Sequence, residues 1–322
     1  MKLLVIAALL AAPSIALGQT AADAQACERF TGNPVRAAEA RASLEGLARG
    51  SDAAASSFAA GCLAVAATKW NDAAKAFERA VAANDRSAIA HYWLGRTYGV
   101  QVMQASVLRQ PGLAKKTKAH LERAVEIDPD HMDARTGLMQ FYLRAPSIVG
   151  GSVPKARQQV EEVRRRNAFR GGMLAGTVAR REKQHAAAVT EYERLITQYP
   201  DSAAPYSSLA STYGDQREWD MAFRTIDRFI AAQPRALLAQ YAIGRAAAES
   251  GQQLDRGEQG LRRYIAGATP SPGEPTIATA HLRLGAIHER RGDTDKARAE
   301  YQTALRLEPT LEAARAALGK LK

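Results

Sequence analysis

The sequence predicts an all-α fold, an α-solenoid of stacked helical hairpins, on three observations. Small, bulky apolar and helix-ending residues recur with a 34-residue period in the regular stretches. Alanine is abundant while aromatic residues make up only 6% of the chain, a balance that favours closely packed helices. No β-branched run alternates with period two, so nothing in the pattern asks for a strand. Recurrence at this spacing marks architectures whose units bury a core only by stacking on their neighbours.

The first element reads as an export signal over residues 1–18. Lys2 supplies the positive end, Leu3 to Leu17 the apolar stretch, and Ala16-Leu17-Gly18 the small residues of a cleavage site. Pro13 interrupts the stretch, which is too short for a stable bilayer anchor. No later segment is apolar enough to span, so the mature chain is expected to lack a transmembrane anchor and to be periplasmic or secreted. Cys27 lies too far downstream for a lipoprotein site. Residues 19–53 form an N-terminal segment whose stretch 35–48 has the pattern of a capping helix. Cys27 and Cys62 form one candidate disulfide for an oxidising compartment; two separate thiols, with Cys62 a small core residue, is the other reading.

Residues 54–309 carry about seven repeats. A small residue in the first helix, Gly61, Gly176, Ala210 or Gly285, is followed twelve later by Ala73, Ala188, Ala222 or Ala297. Four further on stand Phe77, Tyr192, Ile226 and Tyr301, then Ala80, Leu195, Phe229 and Ala304 after three more. Small residues are expected where the two helices of a hairpin cross, and the bulky ones form the stripe shared with the next hairpin. Pro200, Pro234 and Pro309 end second helices, because proline disfavours helix in the residue before it. Polar residues after the proline, as in Pro200-Asp201-Ser202 or Asp128-Pro129-Asp130, are expected to cap the next helix. Extra length falls near 102–116, 145–152 and 267–276; the last stretch is too rich in proline and glycine for a helix. Residues 310–322 complete the array as a capping helix.

These positions resemble the tetratricopeptide repeat. The closest copies are Tyr92-Trp93-Leu94-Gly95 with Tyr98, Leu209-Ala210 with Tyr213, and Leu284-Gly285 followed by Ala297, Tyr301, Ala304 and Pro309. The chain is similar to exported bacterial proteins of that kind. The resemblance implies a right-handed superhelix of hairpins and a non-catalytic scaffold holding a protein or peptide in a groove lined by first helices. Carried over by position, the groove would present Tyr92, Arg96, Met173, Arg180, Ser207, Ser211, Tyr241 and Arg245. The lysine and asparagine pairs with which some relatives grip a terminal carboxylate are not reproduced here.

Signs of catalysis are missing. The histidines have no ligand spacing, so no metal and no cofactor are expected. No phosphate-binding glycine loop or nucleophile elbow occurs. Gly150-Gly151 and Gly171-Gly172 read as turn glycines before helices, with an anion at the helix start as the alternative.

Charge is uneven. The chain carries +11, and between Lys155 and Lys183 nine cations face three acids. Arg164, Arg165, Arg166, Arg170 and Arg181 belong to this basic stretch. It favours an acidic peptide or, in an alternative reading, anionic lipid or cell-wall polymer at the envelope. A merely solvated helix face is the plain explanation. Nucleic acid is disfavoured, because no aromatic series accompanies the arginines.

Overall fold

A computed structural model describes Cys27 and residues 37–269 and 274–321. The export signal over 1–18, most of segment 19–36 and residues 270–273 lie outside the described residues. Among the described residues sixteen α-helices can be bounded, with one 3-10 turn and no strand. In chain order they are α1 (Ala37–Ala48), α2 (Ala53–Ala66), α3 (Trp70–Ala83), α4 (Ala88–Gln104), α5 (Gln110–Ile127) and α6 (Met132–Arg144). After the 3-10 turn Ser147–Val149 come α7 (Val153–Arg166), α8 (Ala168–Arg181), α9 (His185–Gln198), α10 (Ala203–Asp215) and α11 (Trp219–Ala232). The rest are α12 (Leu237–Ser250), α13 (Leu254–Gly267), α14 (Ile277–Arg291), α15 (Thr294–Leu307) and α16 (Glu312–Lys320).

The chain divides within α6 into two compact units. One takes in the chain up to Phe141 and the turn Ala145–Gly151, the other Tyr142–Arg144 and everything from Ser152. In the first unit α2 pairs with α3 and α4 with α5; in the second the pairs are α8–α9, α10–α11, α12–α13 and α14–α15.

The small residues sit at the crossings, and the reason is space. A Cβ on Gly61 would fall 2.5 Å from the Phe77 ring, on Gly176 2.4 Å from Tyr192, and on Gly285 2.4 Å from Tyr301. Gly244 meets Leu261 at 2.2 Å, and Gly95 meets Leu121 at 3.0 Å despite the longer second repeat. Each bulky partner is buried, so the stripe that no hairpin can cover alone is shared along the stack. In the first unit Phe58, Phe77 and Trp93 run ring to ring from α2 through α3 to α4, with centroids 5.6 and 6.1 Å apart. In the second, Tyr206 stacks on Phe229 at 5.2 Å.

Second helices stop before proline as the sequence requires. Tyr199, Gln233 and Glu308 each leave the helical region, with ψ of 64°, 77° and 86°. Capping is more selective than expected. Asp52, Ser87, Asn167 and Thr276 accept first-turn amides, whereas Ser202 stands at the start of α10 without a side-chain cap bond. At α6 the cap is His131, and Asp128 closes its own turn by accepting from the Asp130 amide.

Leu44 of α1 and Ala314 of α16 are fully buried, and α1 packs on α2 as α16 packs on α15. Cys27 is joined to Cys62 of α2 by a disulfide, with both residues fully buried. The extra residues near 102–116 lengthen two helices, giving α4 17 residues and α5 18. The segment near 145–152 is a tight turn in which a Cβ on Gly151 would strike the Ala145 carbonyl at 1.7 Å, and Gly150 takes φ +101°. After α13, the described part of the loop is held by the Tyr264 hydroxyl donating to the Pro275 carbonyl at 2.6 Å.

Candidate functional site

Within the second unit the first helices form a row of their own. Contacts run from α8 to α10, α10 to α12 and α12 to α14, and no comparable pairing joins successive second helices among the described residues. The first helices therefore stand closer together than the second, which places them on the inner side of the stack.

Polar residues converge on this row. Arg180 of α8 donates to Asp215 of α10 at 2.6 Å. Ser211 donates to the Ser207 carbonyl at 2.6 Å and accepts from the Arg245 guanidinium. Arg283 of α14 reaches Glu249 of α12 at 3.3 Å, and Arg290 donates to the Ala248 and Glu249 carbonyls. Arg245 and Arg283 each bury an Nε that has no hydrogen-bond partner among the described residues. Burial pulls the Arg245 guanidinium below its ordinary pKa; the Arg283 and Arg180 charges add to this, while Glu249 and Tyr241 oppose it. A half-buried cation bonded to a hydroxyl instead of a carboxylate can still take an anionic partner.

The structure sorts the expected groove residues. Arg180, Ser207, Ser211 and Arg245 share the row just described. Tyr241 is a correction: it is buried in the α12–α14 core, its ring 5.2 Å from that of Tyr264. Its position one turn before the small residue points between neighbouring hairpins, where stacking covers it. Met173 is likewise turned partly into the core around Tyr192 and Leu195. Tyr92 lies in the first unit, wedged between the Trp93 and His131 rings. Arg96 is exposed there, its guanidinium 4.7 Å above Trp93. Arg283 and Glu249 were missed by sequence reasoning. Arg283 stands two positions before the crossing Gly285, whereas Arg245 stands one after Gly244, so the carry-over by repeat position passes it by.

The arginine run does not make one continuous patch. Arg164, Arg165 and Arg166 close the last turn of α7, where the helix dipole favours cations. Acids answer them locally: Arg164 is 3.3 Å from Glu191, Arg166 is 2.9 Å from Glu162, and Arg165 also pairs with Glu162. Arg170 and Arg181 stand near opposite ends of α8, about 16 Å apart along its axis. Gly171-Gly172 is also corrected: the pair does not precede α8 in a turn but lies within its opening turns, buried at a helix crossing, with the Gly171 amide already donating to the Asn167 carbonyl.

The histidines pair between helices. His281 bonds Glu300 at 2.6 Å, and His288 is buried 3.9 Å from Glu258 and from Asp293. In the first unit His91 and His120 face each other, Nδ1 to Nδ1 at 3.0 Å. His91 Nε2 must donate to the Asp85 carbonyl at 3.1 Å, so its Nδ1 accepts and His120 donates. Burial lowers the pKa of both, that of His120 to about 4, and the pair's mutual charge adds to the His120 shift. A group held below its ordinary value of 6.5 contributes stability that is complete above pH 6.5 and drains away as pH falls towards 4. We expect the first unit to lose about 1–2 kcal/mol over that window, after allowing for solvent screening. Urea midpoints measured across pH check this, and His120→Gln should flatten the profile.

No group of three or more His, Cys, Asp or Glu side chains is placed to hold a metal among the described residues. No described helix is long and apolar enough to cross a membrane.

Hairpins stacked through glycine crossings, with a polar row along their first helices, define a helical repeat protein of the interaction-scaffold class. Models of the tetratricopeptide repeat match residues 58–98, 173–202 and 278–311. The chain is a tetratricopeptide-repeat protein. A tetratricopeptide repeat protein from Parabacteroides merdae superposes with TM-score 0.56 at 13% identity, covering 83% of this chain and 98% of that one. A monomeric mutant of IFIT1 with m7Gppp-AAAA superposes with TM-score 0.53 at 15% identity, covering 88% of this chain and 68% of that one. At such identities the likeness is one of fold alone. No curated protein matches the sequence.

Proposed function

We propose that the chain is an exported, non-catalytic scaffold that holds an extended protein segment of acidic character against the first-helix row of its second unit. One observation carries the reading. Arg245 is a half-buried guanidinium whose bonded partner is the Ser211 hydroxyl and whose buried Nε is unused. A carboxylate from a guest would complete it with a charge-assisted bond, in a setting where water competes poorly. Arg283, with its own unused Nε, offers a second such contact along α14. The export part of the reading rests on the signal-like residues 1–18 and on the Cys27–Cys62 bond, which suits an oxidising compartment.

Selection from a random-peptide display library tests the proposal. Enrichment of Asp- and Glu-containing peptides is expected, and Arg245→Ala should weaken the selected peptides about tenfold or more at unchanged helicity. Peptides without acidic residues, or equal binding by the variant, would remove the basis for it. N-terminal sequencing of the chain recovered from its natural host tests export, with a start just after Gly18 expected.

A further inference from the structure

The long second hairpin ends in a feature that peptide holding does not use. Its tip exposes large apolar side chains that nothing among the described residues covers: Met103 at 82%, Val107 at 78% and Leu108 at 94%. Lone exposed apolar residues are ordinary, but three within six positions at one end of a hairpin are not. The tip also stands proud. From its crossing glycine to its last residue α4 runs nine positions, Gly95 to Gln104, whereas α2 runs five, Gly61 to Ala66. The four extra residues carry the tip about 6 Å further from the crossing.

The charges around it have one sign. From Arg86 to Leu121 the chain contains no aspartate or glutamate, and it carries six cations. Arg109 lies beside Leu108 and is exposed, as are Lys115 and Lys116 on the following turns of α5. Lys115 and Lys116 stand about 10 Å behind Leu108 along the chain of α5. That separation matches the depth at which an interfacial segment buries its apolar side while its cations stay among headgroups.

We infer that the α4–α5 tip is a membrane-surface anchor, inserting Met103, Val107 and Leu108 into the headgroup–acyl boundary of an anionic bilayer, with Arg109, Lys115 and Lys116 on lipid phosphates. A protein partner would have to supply a pocket deep enough for a protruding tip and acids to match its rim. An anionic bilayer supplies both at once. The arginines at 164–166 play no part in this surface, since Glu162 and Glu191 answer their charges. It is also independent of the Arg245 row.

Vesicle flotation of the full chain tests the inference, using phosphatidylcholine alone and an equal mixture of phosphatidylcholine and phosphatidylglycerol. The wild type is expected to float with the mixed vesicles and weakly with the neutral ones. Val107→Ser with Leu108→Ser should cut partitioning about tenfold or more, and Arg109→Gln with Lys115→Gln about fivefold or more. All four side chains are exposed, so circular dichroism should show unchanged helicity in both variants. Arg245→Ala should float as the wild type does, which separates this surface from peptide holding. The inference is overturned if the wild type stays off anionic vesicles, or if the serine variant floats equally well. Crosslinking of the tip to a protein without vesicle binding would overturn it too.

Discussion

Replacing Gly171 with alanine will destabilise the protein by about 2–3 kcal/mol, opposite in sign to what helix propensity alone requires. Gly171 lies in the first turn of α8, where alanine would ordinarily be worth up to about 1 kcal/mol more than glycine. Its Cβ, however, would fall 2.3 Å from the Arg164 Cα and 2.6 Å from the Arg164 nitrogen. Those atoms are backbone of α7, so no rotamer change relieves the clash and the two helices must part. Parting them loosens the packing of α7 on α8, and interiors packed to crystal density resist this. Gly46 of α1 is the control. Nothing lies within 4 Å of its added Cβ, so Gly46→Ala should gain up to about 1 kcal/mol. Urea midpoints of the two variants decide the matter. A Gly171→Ala protein as stable as the parent would show that α7 and α8 do not cross as closely as described.

Removing the disulfide, by reductant or by Cys27→Ala with Cys62→Ala, will cost about 3–4 kcal/mol, felt in the first unit. The bond spans 35 residues, and in the chain-entropy account a loop of that size restricts the unfolded state by this amount. It ties the segment before α1 to the middle of α2, beside the Phe58 and Phe77 rings. Stacked repeats add their stabilities through nearest-neighbour interfaces, so the loss should concentrate at this end of the chain. Amide hydrogen exchange should speed up in α1 to α3 on reduction while α10 to α15 keep their protection. A melting profile indifferent to reductant would contradict the bond's stabilising role. Equal loosening throughout would contradict the local account.

Much of the fold was legible because its determinants are short-range and repeated. Gly61, Gly176 and Gly285 each announce a crossing twelve residues before the alanine and sixteen before the ring that meets them. Seeing the same spacing several times removes the ambiguity of any one copy. The proline ends of second helices were equally plain, since a single residue enforces them. The site was less legible. Tyr241 and Gly171 were assigned by position, and both are buried by neighbours whose approach no spacing reveals. Arg283 was missed because it stands two positions before its crossing glycine, a repeat position other than the one Arg245 holds.

Thus the amino-acid order by itself determined the helical class, the hairpin succession and the small residues at the crossings, because contacts a dozen or so residues apart in a repeat obey a fixed geometry. Only the tertiary structure decided which polar side chains meet. Arg245 finds Ser211 34 positions away, Arg283 finds Glu249, and Arg164 finds Glu191, since those encounters depend on how helices of different hairpins stack. Packing likewise decided that the extra residues of the second repeat would lengthen α4 and α5 and carry Leu108 out beyond the body of its unit.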